Sequence, residues 1–425
     1  MKRVVVTGAG VLAPNAHGLE DYERALREGR SGIRYVPEMA RLNFACQVGG
    51  EPQDVASLSR RYLGTRVSPA SLGGPLAYAA IAAIDAWSDA GLDAAGSARG
   101  PLGERAGVVF GTGGGPNVVE HIVQLTLAGR GAELDPGLVD EFQPAALSWH
   151  VGRLLDLGGL VSTNSSACTT GTESVVEALR IIQDGRADVM IAGGADASGV
   201  IPWAGFDAMR VLASHHNDAP ERASRPMSAS AAGFVPSSGA GALVLESLEH
   251  AVARGARIHA EVLAGHLNSG GHRNGGSMTA PNPIGVQRCI RQTLAMAGIE
   301  PSAIDAINGH LTATMADPLE IRNWSAALGL PNDRFPWINS TKSLVGHALG
   351  AAGALECVAV MLQLARGFVH GSINCEDLHP EIAQWSGSVP HTTIDDAPRL
   401  VAKASFGFGD VNGCLVLRRW DEVWA

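Results

Sequence analysis

The chain has 425 residues, 46% of them hydrophobic and 17% charged, with 53 glycines and a formal net charge of -10. That size and apolar content suffice for one large α/β core or two smaller ones and exclude a disordered chain. The negative balance opposes non-specific binding to nucleic acid or anionic membranes, so only a local basic patch could serve an acidic partner.

In chain order, the opening Met-Lys-Arg is followed by only three apolar residues before the first glycine. A signal peptide needs a longer apolar run, and no stretch reaches the roughly 18 apolar residues of a membrane span. The expectation is a soluble, cytoplasmic protein. Short β-branched runs then recur at Val4-Val5-Val6, Val108-Val109-Phe110, Val189-Met190-Ile191, Leu243-Val244-Leu245 and Leu415-Val416-Leu417. Such runs, bounded by turn residues, suit buried strands. Alanine-rich helical stretches lie between them, at Leu76 to Ala90, Thr172 to Asp184, Val286 to Met296 and Gly350 to Ala365. The alternation predicts an α/β fold with helices layered on sheets. Asn268 to Ser277 reads as a surface loop, a weak break falls near 250–258, and no internal repeat is visible.

Six cysteines, at 46, 168, 289, 357, 375 and 414, show no CxxC pairs and no close His partners, which argues against a zinc site and a disulfide framework. Five read as small buried hydrophobes. Cys168 differs, because it sits in Val-Ser-Thr-Asn-Ser-Ser-Ala-Cys-Thr-Thr-Gly-Thr-Glu-Ser (161–174), where a strand-like run gives way to a helix-compatible one. A thiol at that turn feels the positive end of the helix, which favours thiolate. Two further segments, Asn308-Gly309-His310-Leu311-Thr312-Ala313-Thr314 and Ser340-Thr341-Lys342-Ser343-Leu344-Val345-Gly346-His347, add two imidazoles and an ammonium among small residues. Together they suggest nucleophilic chemistry on an acyl group.

These segments resemble the elongating β-ketoacyl-acyl carrier protein synthases of the thiolase superfamily. The resemblance runs through Arg3 to Gly10, the Cys168 segment, Ala192-Gly193-Gly194-Ala195-Asp196, Gly239-Ala240-Gly241, Ser340 to Glu356 and Ser405-Phe406-Gly407-Phe408-Gly409. It implies a thiolase-like fold of two duplicated α/β halves in a layered αβαβα arrangement, residues 1–250 carrying the nucleophile and 251–425 the histidines and lysine. It also implies a decarboxylative condensation of a Cys168-bound acyl group with malonyl-acyl carrier protein. His310 and His347 would donate to the enolate oxygen, and the backbone N–H groups of Cys168 and Phe408 would form the oxyanion hole. Lys342 would orient this network with Glu356 supporting it, while Thr312 and Thr314 would bind the pantetheine arm. Arg60, Arg61, Arg66 and Arg210 would dock the acidic carrier. No metal and no cofactor is implied beyond the carrier's own phosphopantetheine; a homodimer, or a heterodimer with a chain-length-factor-like subunit, is.

The chain departs from the common pattern at Leu311, at Ala232, at Ser238 and at Asp410, and its acidic pair Asp317 and Glu320 arrives one residue early. Gly-His-Leu-Thr-Ala-Thr with Phe-Gly-Phe-Gly-Asp-Val-Asn is similar to synthases of aryl-polyene or flexirubin pigment clusters, which points away from housekeeping fatty-acid elongation. Two other readings stand beside this one. A non-catalytic chain-length-factor-like subunit typically lacks the nucleophilic cysteine. A dinucleotide-binding oxidoreductase would use Gly8-Ala9-Gly10-Val11-Leu12-Ala13, but Pro14 interrupts the helix that should follow, and no acidic strand end appears about 20 residues on.

Overall fold

A computed structural model describes residues 1–64, 71, 73–92, 101–114, 118–143 and 145–421. Ten strands carry the architecture. In the first half these are β1 (Val4–Ala13), β2 (Ala106–Gly111), β3 (Val161–Ser162), β4 (Val189–Asp196) and β5 (Gly239–Ser247). The second half has β6 (Ala260–Ser269), β7 (Ala306–Asn308), β8 (Trp337–Asn339), β9 (Leu400–Gly407) and β10 (Val411–Arg419). All five predicted apolar runs lie in strands.

Strand order reveals a duplication that the residues conceal. The first half runs β1-β5-β4-β2-β3 and the second β6-β10-β9-β7-β8. In each, the first two pairings are antiparallel and the last two parallel. The halves join where β1 meets β6 antiparallel, with Val4 opposite Val262 and Val6 opposite Ala260.

Helices fill the layers. The first half contributes α1 (Pro75–Asp89) and α2 (Thr170–Gln183), the second α3 (Pro283–Ala297), α4 (Asp317–Leu328) and α5 (Ala352–Arg366). One apolar cluster joins α1 to the outer face of the first half, and another joins α3 and α4 to the outer face of the second. The largest lies between, where α2 and α5 pack against strands from both halves. The result is the expected αβαβα layering.

α5 is buried almost throughout, so its buried side chains are alanine, branched aliphatics, Cys357 and Met361, with only Glu356 and Gln363 as buried polar exceptions. With its preceding turn it forms an 18-residue run, Leu349–Arg366, long and apolar enough to cross a membrane, whereas the sequence reading found no such stretch. Here 89% of that run is buried inside the fold, which makes it a core helix. The glycines of the dinucleotide-like motif are also explained. They lie within β1, not in a loop before a helix, and a Cβ at Gly10 would stand 2.0 Å from the Ala82 carbonyl oxygen of α1. They are close-packing glycines, which removes the dinucleotide reading.

Candidate active site

After β3 the chain turns through Ala167, a non-glycine residue at φ 51, into the short turn Ala167–Thr169 that opens α2. Left-handed backbone at alanine is unfavourable and must be held by its surroundings. The Thr170 hydroxyl does this, donating to the Ala167 carbonyl at 2.7 Å and accepting the Ser166 N–H at 2.8 Å. Cys168 is thereby fixed at the helix start and is 8% exposed.

His347 comes from the equivalent position of the second half, after β8 and before α5. Its Nε2 lies 3.1 Å from Cys168 Sγ, and its Nδ1 lies 3.1 Å from the Leu349 backbone nitrogen. A backbone N–H can only donate, so Nδ1 accepts, and in the neutral ring Nε2 carries the proton. The ligand-type atoms of Cys168, His310 and His347 all lie within 4.8 Å of one another.

Backbone contact sets this spacing. A Cβ on Gly171, at the start of α2, would stand 2.4 Å from the Ala354 nitrogen of α5. One on Gly353 would stand 2.5 Å from the Thr172 nitrogen. Neither position has room for a methyl group, so the two central helices meet without side chains between them.

His310 follows β7 in a loop clamped by carboxylates. Glu320 accepts the backbone N–H groups of His310 at 2.7 Å and Leu311 at 2.8 Å. Asp317 accepts those of Thr312 at 2.8 Å and Ala313 at 3.0 Å. The acidic pair therefore holds the loop despite its early arrival, and the loop includes two non-glycine residues at positive φ, Leu311 at 21 and Ala313 at 64. Thr312 and Thr314 come together, their hydroxyl oxygens 3.0 Å apart.

Behind the imidazoles lies a buried charge group. Glu356 bonds Lys342 through Oε1, while its Oε2 lies 2.8 Å from Lys403 Nζ. All three side chains are at most 2% exposed. Lys403 is absent from the sequence reading. Its only signal is a lone cation in the apolar run Leu400-Val401-Ala402-Lys403-Ala404, five residues before Phe408. Three aromatic rings also join the site: Phe234 stands edge-on to His347 at 5.2 Å, and Phe206 contacts both Phe234 and Phe408.

The state of the Cys168 thiol differs from expectation. Burial pushes the Cys168 thiol up to about 11, although the backbone N–H of Phe408, Lys342 and the backbone N–H of Cys168 pull the other way. Desolvation outweighs the helix end, so the free site holds a thiol and not the predicted thiolate. Burial, reinforced by Lys342 and Lys403, also holds His310 and His347 well below the ordinary imidazole range, so both rings are neutral at physiological pH.

The argument from cysteine spacing is corrected as well. Sequence separation hides the fact that Cys168 has two histidine neighbours, and these three groups are close enough to hold a metal ion. Two lysines against one glutamate behind them disfavour a cation there. The other five cysteines are free and buried, as expected of small hydrophobes. Of the proposed docking residues, Arg60 and Arg61 are exposed on the helix Val55–Leu63, which packs on α1. Arg210 is exposed just past the helix Val200–Ala208 that carries Phe206. Arg66 lies outside the described residues.

Comparison with known proteins agrees with this geometry. The family model described as Beta-ketoacyl synthase, N-terminal domain, matches residues 1–251, and its C-terminal counterpart matches residues 259–376. The 3-oxoacyl-[acyl-carrier-protein] synthase 1 of Haemophilus influenzae is 33% identical, covering 99% of this chain and 100% of the relative. A synthase 2 from Vibrio harveyi is 35% identical, covering 99% of each. Among solved structures, the ishigamide ketosynthase/chain length factor superposes with a TM-score of 0.86 at 32% identity, covering 99% of this chain and 100% of that one. A type II ketosynthase bound to its acyl-carrier protein gives 0.86 at 29%, with the same coverage. With matching family models across most of its length and full-length relatives above 30% identity, the chain belongs to the β-ketoacyl synthase family and has its thiolase-like fold.

Proposed function

We propose that this protein is an acyltransferase that condenses a Cys168-bound acyl group with malonyl-acyl carrier protein, releasing CO2 and a β-ketoacyl carrier two carbons longer. The observation that carries the reading is the convergence of one thiol and two neutral imidazoles within 4.8 Å, all three side chains buried. Residues 1–250 supply the nucleophile, and residues 251–425 supply the donors.

In the first half-reaction, Cys168 Sγ bonds to the acyl carbonyl carbon of an acyl-carrier thioester. The bond to the carrier sulfur breaks, and that sulfur leaves with the proton given up by Cys168. The backbone N–H groups of Phe408 and Cys168, which face the sulfur, hold the transient oxyanion. In the second, the carbon–carboxylate bond of the malonyl group breaks and its electron pair forms an enolate. His347 Nε2–H and the His310 imidazole donate to the enolate oxygen. Neutral rings suit this role, because they donate to the oxygen without first protonating the carbon. The enolate carbon then bonds to the acyl carbonyl carbon, the bond to Cys168 breaks, and the thiolate recovers a proton from solvent.

Thr312 and Thr314, with paired hydroxyls beside His310, are the proposed pantetheine contacts. Arg60, Arg61 and Arg210, and Arg66 by sequence alone, are the proposed carrier-docking cations. For a second ketosynthase-like chain, identical or of the chain-length-factor kind, we propose the edge at β3. That strand pairs only with β2 among the described residues, and Leu160 and Val161 there are 39% and 40% exposed. An unpaired apolar edge is a template for another strand. The departures at Leu311 and Asp410 support a specialised acyl substrate of the aryl-polyene kind. Asp410 is buried and accepts the His272 and Asn282 backbone N–H groups, building a distinct loop beside Phe408.

The test is intact-mass measurement with a panel of acyl- and aryl-enoyl-carrier thioesters, followed by addition of malonyl carrier. One acyl adduct at Cys168 and its discharge as a β-ketoacyl carrier are expected. An unmodified protein across the panel would instead identify a non-catalytic partner subunit.

A further inference from the structure

The proposed chemistry uses Lys342 and Glu356 but leaves a second buried ammonium unexplained. Lys403 is completely buried on β9, the strand that leads into Phe408. An isolated buried ammonium is costly, so its partners reveal what it does. Nζ lies 2.8 Å from Glu356 Oε2 and 2.9 Å from both Thr172 Oγ1 and the Ala404 carbonyl oxygen, and it also donates to Ser405 Oγ. Thr172 is four residues past Cys168 in α2, Glu356 is in α5, and Ala404 and Ser405 belong to β9. One ammonium thus joins the nucleophile's helix, the lysine–glutamate pair and the oxyanion strand.

The charge count matters as much as the tethers. Two cations, Lys342 and Lys403, share one anion, Glu356: Lys342 hydrogen-bonds one carboxylate oxygen, while the other lies in ion-pair contact with Lys403, whose hydrogen bonds go to Thr172, Ala404 and Ser405. A glutamate serving Lys342 alone would cancel its charge; this one cannot. A net positive charge therefore remains behind His310 and His347. The other ionisable groups around the site are Cys168, in front of His347, Glu320 beneath the His310 backbone, and Asp196, which acts on Cys168 and whose carboxylate accepts the Gly113, Gly114 and Gly350 backbone N–H groups.

We propose that Lys403 is a positioning residue for the condensation: it stands as a second cation against Glu356, leaving positive charge behind the two imidazoles, and its hydrogen bonds tie α2 to the strand presenting Phe408. The inference rests on the condensing role proposed above. A residual cation keeps the imidazoles in their neutral, donating form, which agrees with the direction in which Lys403 moves both rings. It also favours the enolate electrostatically without touching it.

The experiment is steady-state decarboxylation of malonyl-acyl carrier protein by the unmodified chain, Lys403→Met and Lys403→Gln, each across pH 5 to 9. In Lys403→Met, kcat should fall about tenfold or more with KM within about twofold, the split expected when positioning is lost and binding is not. Losing a neighbouring cation raises an imidazole's pKa, so the acid limb of the kcat profile should move to higher pH. Lys403→Gln keeps hydrogen-bonding capacity without charge and should show the same displaced limb with a smaller fall in kcat. Should Lys403→Met fail to fold, Lys403→Gln alone decides the charge question. A kcat within twofold of the unmodified chain, or a fall in kcat with an unmoved acid limb in both variants, would overturn the proposal. Absence of decarboxylation and of acylation at Cys168 in the unmodified chain would instead overturn the condensing role itself, a distinguishable failure.

Discussion

The two halves share strand order, pairing direction and helix placement, yet they bring different chemistry to the same topological positions. After the third chain-order strand of the first half comes Cys168, then α2. After the corresponding strand of the second half come Lys342 and His347, then α5. After β2 the first half places Gly113 and Gly114 on a buried aspartate, while after β7 the second places His310 on a buried glutamate. Duplication therefore supplies two opposed sets of parallel-strand ends, and divergence gives one the thiol and the other the two imidazoles and Lys342.

The largest effect should come from breaking the first half's contribution. Cys168→Gln should reduce condensation by about 10^4-fold or more while retaining malonyl decarboxylation, since both imidazoles survive. Full condensing activity in product analysis would reject the nucleophile. Breaking the second half should give the complementary pattern. His310→Ala should lose about 10^2- to 10^3-fold in decarboxylation, with acylation at Cys168 still visible by intact mass. Loss of both activities together would show that the halves do not divide the labour.

Glu356→Gln sharpens the comparison energetically, because it leaves two buried lysines without their anion. A loss of about 3–5 kcal/mol in denaturant unfolding is expected. The buried carboxylate of the first half, Asp196, accepts three backbone N–H groups and the Thr112 hydroxyl, and serves no lysine there. Asp196→Asn should therefore cost less, about 1–3 kcal/mol; equal losses would show that ion pairing is not what distinguishes the two carboxylates.

Titration separates the halves differently. Only thiolate alkylates, and the thiol is pushed up to about 11, so iodoacetamide labelling of Cys168 in the free protein should rise about tenfold per pH unit from 7 to 9. Decarboxylation should stay flat as pH falls through 6.5, because both imidazoles are held below that value and remain neutral. Labelling that is already maximal at pH 7 would restore the helix-end thiolate. The smallest effect is at the surface: Arg60→Glu with Arg61→Glu should raise the carrier KM about tenfold at low salt and less at high salt. A KM unchanged at both would reject that docking patch.

Much of this was legible in the residues because short motifs carry both chemistry and backbone geometry. Cys168, His310, Lys342 and His347 each stand among small residues that only a tight turn or helix start requires, and the structure brings all four together. Lys403 was not legible, since one lysine in a strand normally points to water; only its register against Glu356 and Thr172 shows that it points inward. The duplication was legible only through the family resemblance and not as an internal repeat of residues. Strand order is a property of pairing, and β3, β7 and β8 are too short to leave a periodic signal. The thiolate expectation failed because a local turn argument counts the helix end but not the water excluded by the second half.

The contact between Gly171 and Gly353 has a consequence for how such a protein can change. The approach of the two helices that carry sulfur and imidazole depends on two missing methyl groups, outside the reacting side chains themselves. Alanine at either site would preserve every reacting side chain and still force the paired helices apart. Variation that looks harmless by chemical class can therefore separate sulfur from imidazole here, while bulkier changes elsewhere, which leave that seam closed, need not.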